Sequence, residues 1–235
     1  MRYNPIGNHI YKKNRDKFIS KMKKDSIAVF NSNDIYPIGA DSTFPFEQHR
    51  DIFYLTGIDQ AETILLLSPQ AQEIKNREIL FIKKTDKNIE IWEGPKLSKE
   101  NARLVSGIDK ILWLNEFDST LKKIASLNNG IYFNKNEHYR NNSKTQTRED
   151  RFILKFKKEY PTHSVYRSNP ILQYLRSIKD PLEIKQIKKA CDITEMGFRR
   201  IIKFIKPEIW EYEIEAELLH EFISNRSKGF AYSPI

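Results

Sequence analysis

Two places in the sequence put reactive side chains at spacings that chemistry uses. The first is FPFEQHRDIFYLTGID, residues 44–59, where Glu47-Gln48-His49-Arg50-Asp51 sits between aromatic residues. In an extended segment His49 and Asp51 would share a face, as a general base and the carboxylate that orients it. Acyl transfer through such a pair needs a nucleophile, and no Ser or Cys stands nearby in a nucleophile-elbow context. The residue types therefore favour a loop entering a buried aromatic strand. Phe53 and Tyr54 are expected in or beside a core, the charges solvated or ion-paired, and His49 not catalytic. The second place is EYEIEAELLHEFISNR, residues 211–226, where a helix would carry Glu213, Glu217, His220 and Glu221. Glu217 and His220 form a Glu-x-x-His pair of the kind used in di-metal helix bundles, but no second copy of the pair occurs. His220-Glu221 also fails as a zincin motif, because Ser224 stands where the second histidine belongs. An exposed acidic helix face is the expectation, and no metal ligand is assigned.

Trp92 is the remaining singular residue. It lies in EIWEGPKLS, read as a short alternating strand ending at Gly94-Pro95. The indole is either half-buried core or an aromatic projecting from a tip, where such residues anchor interfaces. Phosphate chemistry has no support: eight scattered glycines form neither a dinucleotide fingerprint nor a P-loop.

The elements that would position these residues follow from periodicity. Residues 10–24 predict an amphipathic helix, and SIAVFN (26–31), TILLLS (63–68) and EILFIK (78–83) predict buried strands. Helices are predicted at 115–127 and 148–159, with a strand at GIYFN (130–134) between them. Strands alternating with helices indicate an α/β fold with a mostly parallel or mixed sheet. From Lys179 to Ile205 a long helix is predicted, with Asp180 as N-cap, Pro181 at its first position and Glu183 completing a capping box. Ile184, Ile187, Cys191, Thr194, Phe198, Ile201, Ile202 and Ile205 share one of its faces. The helix 211–226, with Ile214, Leu218, Phe222 and Leu219 inward, follows after Pro207. Two helices and a loop cannot close a core. Residues 1–175 are thus expected to form a complete domain and residues 176–235 to open an unfinished one.

The chain has 235 residues with a formal charge of +9, from 40 Lys and Arg against 31 Asp and Glu. Basic residues cluster at Tyr11–Lys24 and Lys155–Tyr160, but without a nucleic-acid-binding module, so solvated helix faces are expected and no nucleic-acid partner. Cys191 is the single cysteine, which excludes an intrachain disulfide. No apolar run reaches membrane-spanning length and the N-terminus has no signal-peptide core, so a cytoplasmic protein is expected, with no membrane partner.

Several of these segments together resemble the aminopeptidase P family of the creatinase/prolidase group. The resemblance is carried by Phe44-Pro45-Phe46-Glu47-Gln48, Asp51 to Gly57, Gln60-Ala61-Glu62 with Ile64 to Leu67, and the Glu-Ile-Trp-x-Gly segment at Trp92. It continues through Arg176, Lys179, Pro181, Glu183 and Ile184 into EYEIEAELLHEF and GFAYSPI, covering nearly the whole chain in order. Glu208 departs from the family's Pro-Gly, so that turn is expected to differ, and Ser233-Pro234 replaces a usual Asn-Thr.

The resemblance implies a mixed sheet flanked by helices, the creatinase N-domain type, followed by linker helices opening an incomplete pita-bread domain. It implies a metallo-exopeptidase that releases the N-terminal residue of peptides with proline second. Two divalent ions, typically manganese, are held by two Asp, one His and two Glu, and activate a water. Those five ligands lie beyond the segment matching residues 231–235 in the family. The expectation is therefore the N-terminal portion of such an enzyme, with no catalytic or metal residue of its own and inactive alone. Trp92 matches a family tryptophan that, in homo-oligomers, reaches towards a neighbouring subunit's substrate cleft. Tyr232 matches a tyrosine standing behind the metal ligands. The alternative is a non-catalytic protein-binding module of the same fold group.

Overall fold

The computed structural model describes residues 5–141 and 143–234. The strands are β1 (Ser26–Asn31), β2 (Ile64–Leu67), β3 (Glu78–Ile82), β4 (Lys110–Trp113), β5 (Gly130–Phe133) and β6 (Ser164–Arg167). Around them lie α1 (His9–Ile19), α2 (Arg50–Thr56), α3 (Lys87–Glu93), α4 (Lys99–Ser106), α5 (Phe117–Ala125), α6 (Arg148–Glu159) and α7 (Asn169–Ser177). Two further helices, α8 (Pro181–Phe204) and α9 (Glu211–Ser224), follow.

One sheet joins the strands in the order β4-β3-β2-β1-β5-β6. β2 runs antiparallel to β1 and β3, and the other neighbours are parallel, so the sheet is mixed. Side chains alternate across it. Ala28, Phe30, Leu65, Leu67, Leu80 and Ile82 pack with Phe18, Ile52 and Leu55 on one face. Ile27, Val29, Ile64, Leu66, Ile79 and Phe81 pack with Phe117, Leu121 and Phe156 on the other. Both faces are covered, which is why β1 and β2 read as unbroken apolar runs rather than alternating ones.

α2 and α4 stop in the same way. Leu55-Thr56-Gly57-Ile58 and Val105-Ser106-Gly107-Ile108 each place a hydroxyl on the last helical residue and a left-handed glycine after it. Thr56 Oγ1 donates to Ile52 O (2.7 Å) and accepts from Ile58 N (3.1 Å); Ser106 Oγ donates to Ala102 O (2.7 Å) and accepts from Ile108 N (3.2 Å). The guanidinium of Arg15, fully buried on α1, joins the two ends. Its Nη1 donates to Leu55 O (2.8 Å) and Ser106 O (2.9 Å), and its Nε to Glu78 (3.0 Å). Carbonyls left over at two helix C-termini thus share one cation.

Several sequence expectations are corrected. The strand expected at Ile89–Gly94 is α3: Asp86 Oδ1 accepts from the Asn88 and Ile89 amides (both 2.9 Å), and Gly94 ends the helix at φ 74°. The aromatic strand expected after the polar block is α2, closed by Gly57 at φ 69°. A β-carbon on Gly57 would come within 2.3 Å of the Tyr11 ring, so this glycine is required twice over, by its φ and by the close approach. The first helix also stops at Ile19, short of Lys24.

The chain divides into two compact units, Gly7–Ser177 and one that carries α8 and α9. In the second unit α8 begins as expected. Asp180 Oδ1 accepts from Leu182 N (3.1 Å) and Glu183 Oε2 from Asp180 N (2.7 Å). Leu218 and Phe222 of α9 lie against Gly197, the buried residue of α8 among those described. The covered face of α8 is therefore centred on Gly197, whereas Ile184, Ile187, Phe198, Ile202 and Ile205 of the expected apolar stripe are exposed. The turn before α9 keeps the left-handed conformation that its departure from Pro-Gly argued against: Glu208 takes φ 70°.

Candidate functional site

His49 is the N-cap of α2. Its Nδ1 accepts the Asp51 amide (3.3 Å) and lies 3.3 Å from Asn134 Nδ2. Both neighbours are N–H donors, so that nitrogen is unprotonated. Burial pushes the imidazole below its ordinary value, outweighing the attraction of Asp51; Arg176 pushes the same way as burial. Asp51 is committed elsewhere: its Oδ1 pairs with Arg176 Nη1 on α7 (2.5 Å), while its Oδ2 is 3.9 Å from His49. Gln48 donates to Ile58 O (3.1 Å) and Gln60 O (2.9 Å), tying the residues before α2 to those after it. Tyr54 is in the core and Phe53 is half-buried, edge-on to Tyr11. The polar block thus fixes a short helix to the sheet and to α7.

A second polar group, which the sequence reading missed, adjoins it. Glu149 at the start of α6 is buried, and its two oxygens accept from Asn31 Nδ2 (2.7 Å) and from Asn134 N (2.8 Å). These donors stand at the ends of the parallel neighbours β1 and β5. Asn134 Oδ1 in turn accepts from Ser168 Oγ (2.7 Å), just before α7. Burial pushes the Glu149 carboxyl up to about 7, against the pull of both hydrogen bonds and with a further push from Asp150. Thr147 caps α6 and was available as a helix-start signal, but burial of Glu149 depends on tertiary packing that local sequence does not encode.

Trp92 is neither core nor strand. It stands on α3 with 86% of its surface exposed, next to Ile91 at 76%. Thr85 Oγ1 donates to Glu90 (3.4 Å), and Lys96 pairs with Glu93 (3.2 Å), so polar contacts flank this apolar tip. Tyr232, in the second unit, is also exposed. On α9, Glu217 and Glu221 both pair with Arg200 of α8, at 2.5 and 3.4 Å. The Glu-x-x-His spacing therefore carries ion pairs to an arginine, a poor setting for a cation. Among the described residues no group of three or more His, Cys, Asp or Glu is placed to hold a metal ion. Among them, too, no helix is long and apolar enough to cross a membrane. Ile235, last of the segment around Tyr232, lies outside the described residues.

Comparison with known proteins gives these features a context. The family model "Aminopeptidase P, N-terminal domain" matches residues 11–132. The model "Metallopeptidase family M24" matches residues 185–235. The Xaa-Pro aminopeptidase of Escherichia coli is 24% identical over 98% of this chain and 52% of its own length. Human Xaa-Pro aminopeptidase 3 is 26% identical over 96% of this chain and 46% of its own. Among solved structures, a Bacillus anthracis protein assigned as aminopeptidase P superposes with a TM-score of 0.84 at 27% identity, covering 93% of this chain and 52% of that one. E. coli aminopeptidase P in complex with substrate gives 0.77 at 23% identity, over 94% and 50%. The chain spans about half the length of the relatives it matches.

Proposed function

The chain belongs to the aminopeptidase P N-terminal domain family, and from that premise we propose that it is the N-terminal portion of a metal-dependent Xaa-Pro aminopeptidase. Such an enzyme removes the first residue of peptides whose second residue is proline. The observation that carries this reading is the order of the two matched segments: the N-terminal domain over 11–132 and the metallopeptidase family from 185. Relatives that align with nearly all of this chain bear the name Xaa-Pro aminopeptidase.

In this reading residues 1–175 are the N-terminal domain, and residues 176–235 are the linker helix and the opening of the catalytic domain. Among the described residues no donor set fits a pair of divalent ions, and Glu217 and Glu221 are held by Arg200. No step of hydrolysis is assigned to them, and the chain alone is inactive. Manganese, a cytoplasmic location and homo-oligomeric assembly belong to the reading on family resemblance. Trp92, exposed on a capped helix with Ile91 beside it, supports a role as an aromatic reaching into a neighbouring subunit's substrate cleft. Tyr232 is assigned to the surroundings of the metal ligands, and His49 to none of the chemistry. The test is hydrolysis of an Xaa-Pro peptide by the full-length product loaded with Mn²⁺, beside the 235-residue chain alone. A folded, metal-loaded full-length product that left the peptide intact would favour the non-catalytic binding module instead.

A further inference from the structure

We propose that Glu149 and His49, joined through Asn134, form a pH-sensitive junction that clamps the segment between β1 and α2, and the start of α7, onto the ends of β1 and β5. Asn134 uses its amide for Glu149, its Nδ2 for His49 and its Oδ1 for Ser168. Glu149 also holds Asn31, the last residue of β1. The segment leaving β1 is fastened beside them. Asp34 accepts the Arg148 amide at the start of α6 (2.6 Å) and pairs with Arg151, and Asn33 Nδ2 donates to Glu47 O (2.8 Å). One buried asparagine therefore ties α6, the cap of α2 and the entry to α7 to one end of the sheet.

The two titrating groups at its sides respond to protons in opposite senses. Asp150, itself paired with Lys135, is the charged neighbour that acts on Glu149, while Arg148 and Arg151 of the same helix interact with Asp34. None of these cations bonds the Glu149 carboxylate, whose partners are the uncharged donors of Asn31 and Asn134. Ionisation thus puts a charge in a buried site with two neutral hydrogen bonds to hold it. The charged groups near His49 are Asp51 and Arg176. A proton on His49 Nδ1 would leave the Asp51 amide and Asn134 Nδ2 without their acceptor. The Glu149 carboxyl sits at about 7 in the fold, above its ordinary range, so its contribution is present at low pH and lost as pH rises through about 7. The His49 imidazole lies below its ordinary value, so its contribution is present above about 6.5 and lost as pH falls through the depressed value.

The experiment measures the melting temperature of the 235-residue chain, and of its Glu149→Gln and His49→Asn variants, from pH 5 to pH 8. Both substitutes are uncharged and keep a hydrogen-bonding side chain. The offset of Glu149→Gln from the unsubstituted chain is expected to become more positive as pH rises, and that of His49→Asn more negative. Offsets that do not change with pH, or that change in the same direction, would show a merely structural cluster and overturn the proposal. Should either variant fail to fold, hydrogen exchange of the unsubstituted chain decides. Protection at Asp51 and Asn134, corrected for intrinsic rates, is expected to fall at the acid and alkaline ends of the range respectively. Protection flat in pH at both amides would overturn the proposal.

Discussion

His49 accepts the Asp51 amide, and Asp51 is spent on Arg176. A base whose neighbouring carboxylate is already paired with an arginine is poorly built for proton transfer, and its ring nitrogen Nδ1 is already occupied as a cap. In the full-length product His49→Ala is expected to leave turnover of an Xaa-Pro peptide within about twofold. The same change should lower stability by about 1 kcal/mol, the usual cost of losing an N-cap, as read from denaturant midpoints. Loss of turnover in a variant that still folds would return His49 to the active site. The sequence raised this cluster as a question because charges and aromatics crowd together there. It could not show that Asp51 pairs through Oδ1 with Arg176, since that arginine lies more than a hundred residues along the chain. Buried Arg15 is similar: its partners Leu55, Glu78 and Ser106 come from three separate segments, and only the folded chain brings them together.

At the scale of elements, the turn before α9 offers a direct trial. Glu208 holds φ 70°, a conformation that costs a residue with a β-carbon roughly 1 kcal/mol or more. Glycine gives part of that back through its greater freedom when unfolded. Glu208→Gly is therefore expected to stabilise the chain by a few tenths to about 1 kcal/mol, seen as a higher melting temperature; a lower one would mean that the glutamate side chain contributes more than its backbone loses. The elements legible in the sequence were those whose signal is local. β1 and α6 were placed to the residue, β2, β3 and β5 to within a residue at their ends, and α8 by its capping box. α2 and α3 were misread because Ile52-Phe53-Tyr54 is rich in strand formers and Ile89-Glu90-Ile91 alternates like one. Caps at His49 and Asp86 and positive-φ glycines at their ends overrode that preference. α4, α7, β4 and β6 went unassigned. β6 is a largely exposed edge strand without an apolar alternation to betray it, although Ser98 and Gly107 bracket α4 with readable start and stop signals.

At the scale of the molecule, the first unit carries a mixed sheet with both faces buried, and the second presents exposed apolar side chains along α8. The aminopeptidase P relationship was legible as an ordered set of short segments, because each marks a helix start, a glycine turn or a buried strand that the fold requires. Trp92 and Tyr232 are both exposed, and the roles proposed for them rest on the family resemblance alone. Trp92→Ala should change stability by less than about 0.5 kcal/mol, as at other exposed sites. In an oligomeric full-length product it is expected to lower kcat/KM for an Xaa-Pro peptide several-fold; an unchanged kcat/KM would remove Trp92 from the cleft. Whether this chain is the N-terminal part of an Xaa-Pro aminopeptidase is decided by incubating the metal-stripped and Mn²⁺-reloaded full-length product with two peptides that differ only in having proline or alanine second. Release of the first residue is expected from the proline peptide alone, dependent on the metal and absent from the 235-residue chain. Release without metal, equal release from both peptides, or none from a folded and loaded product would contradict that assignment.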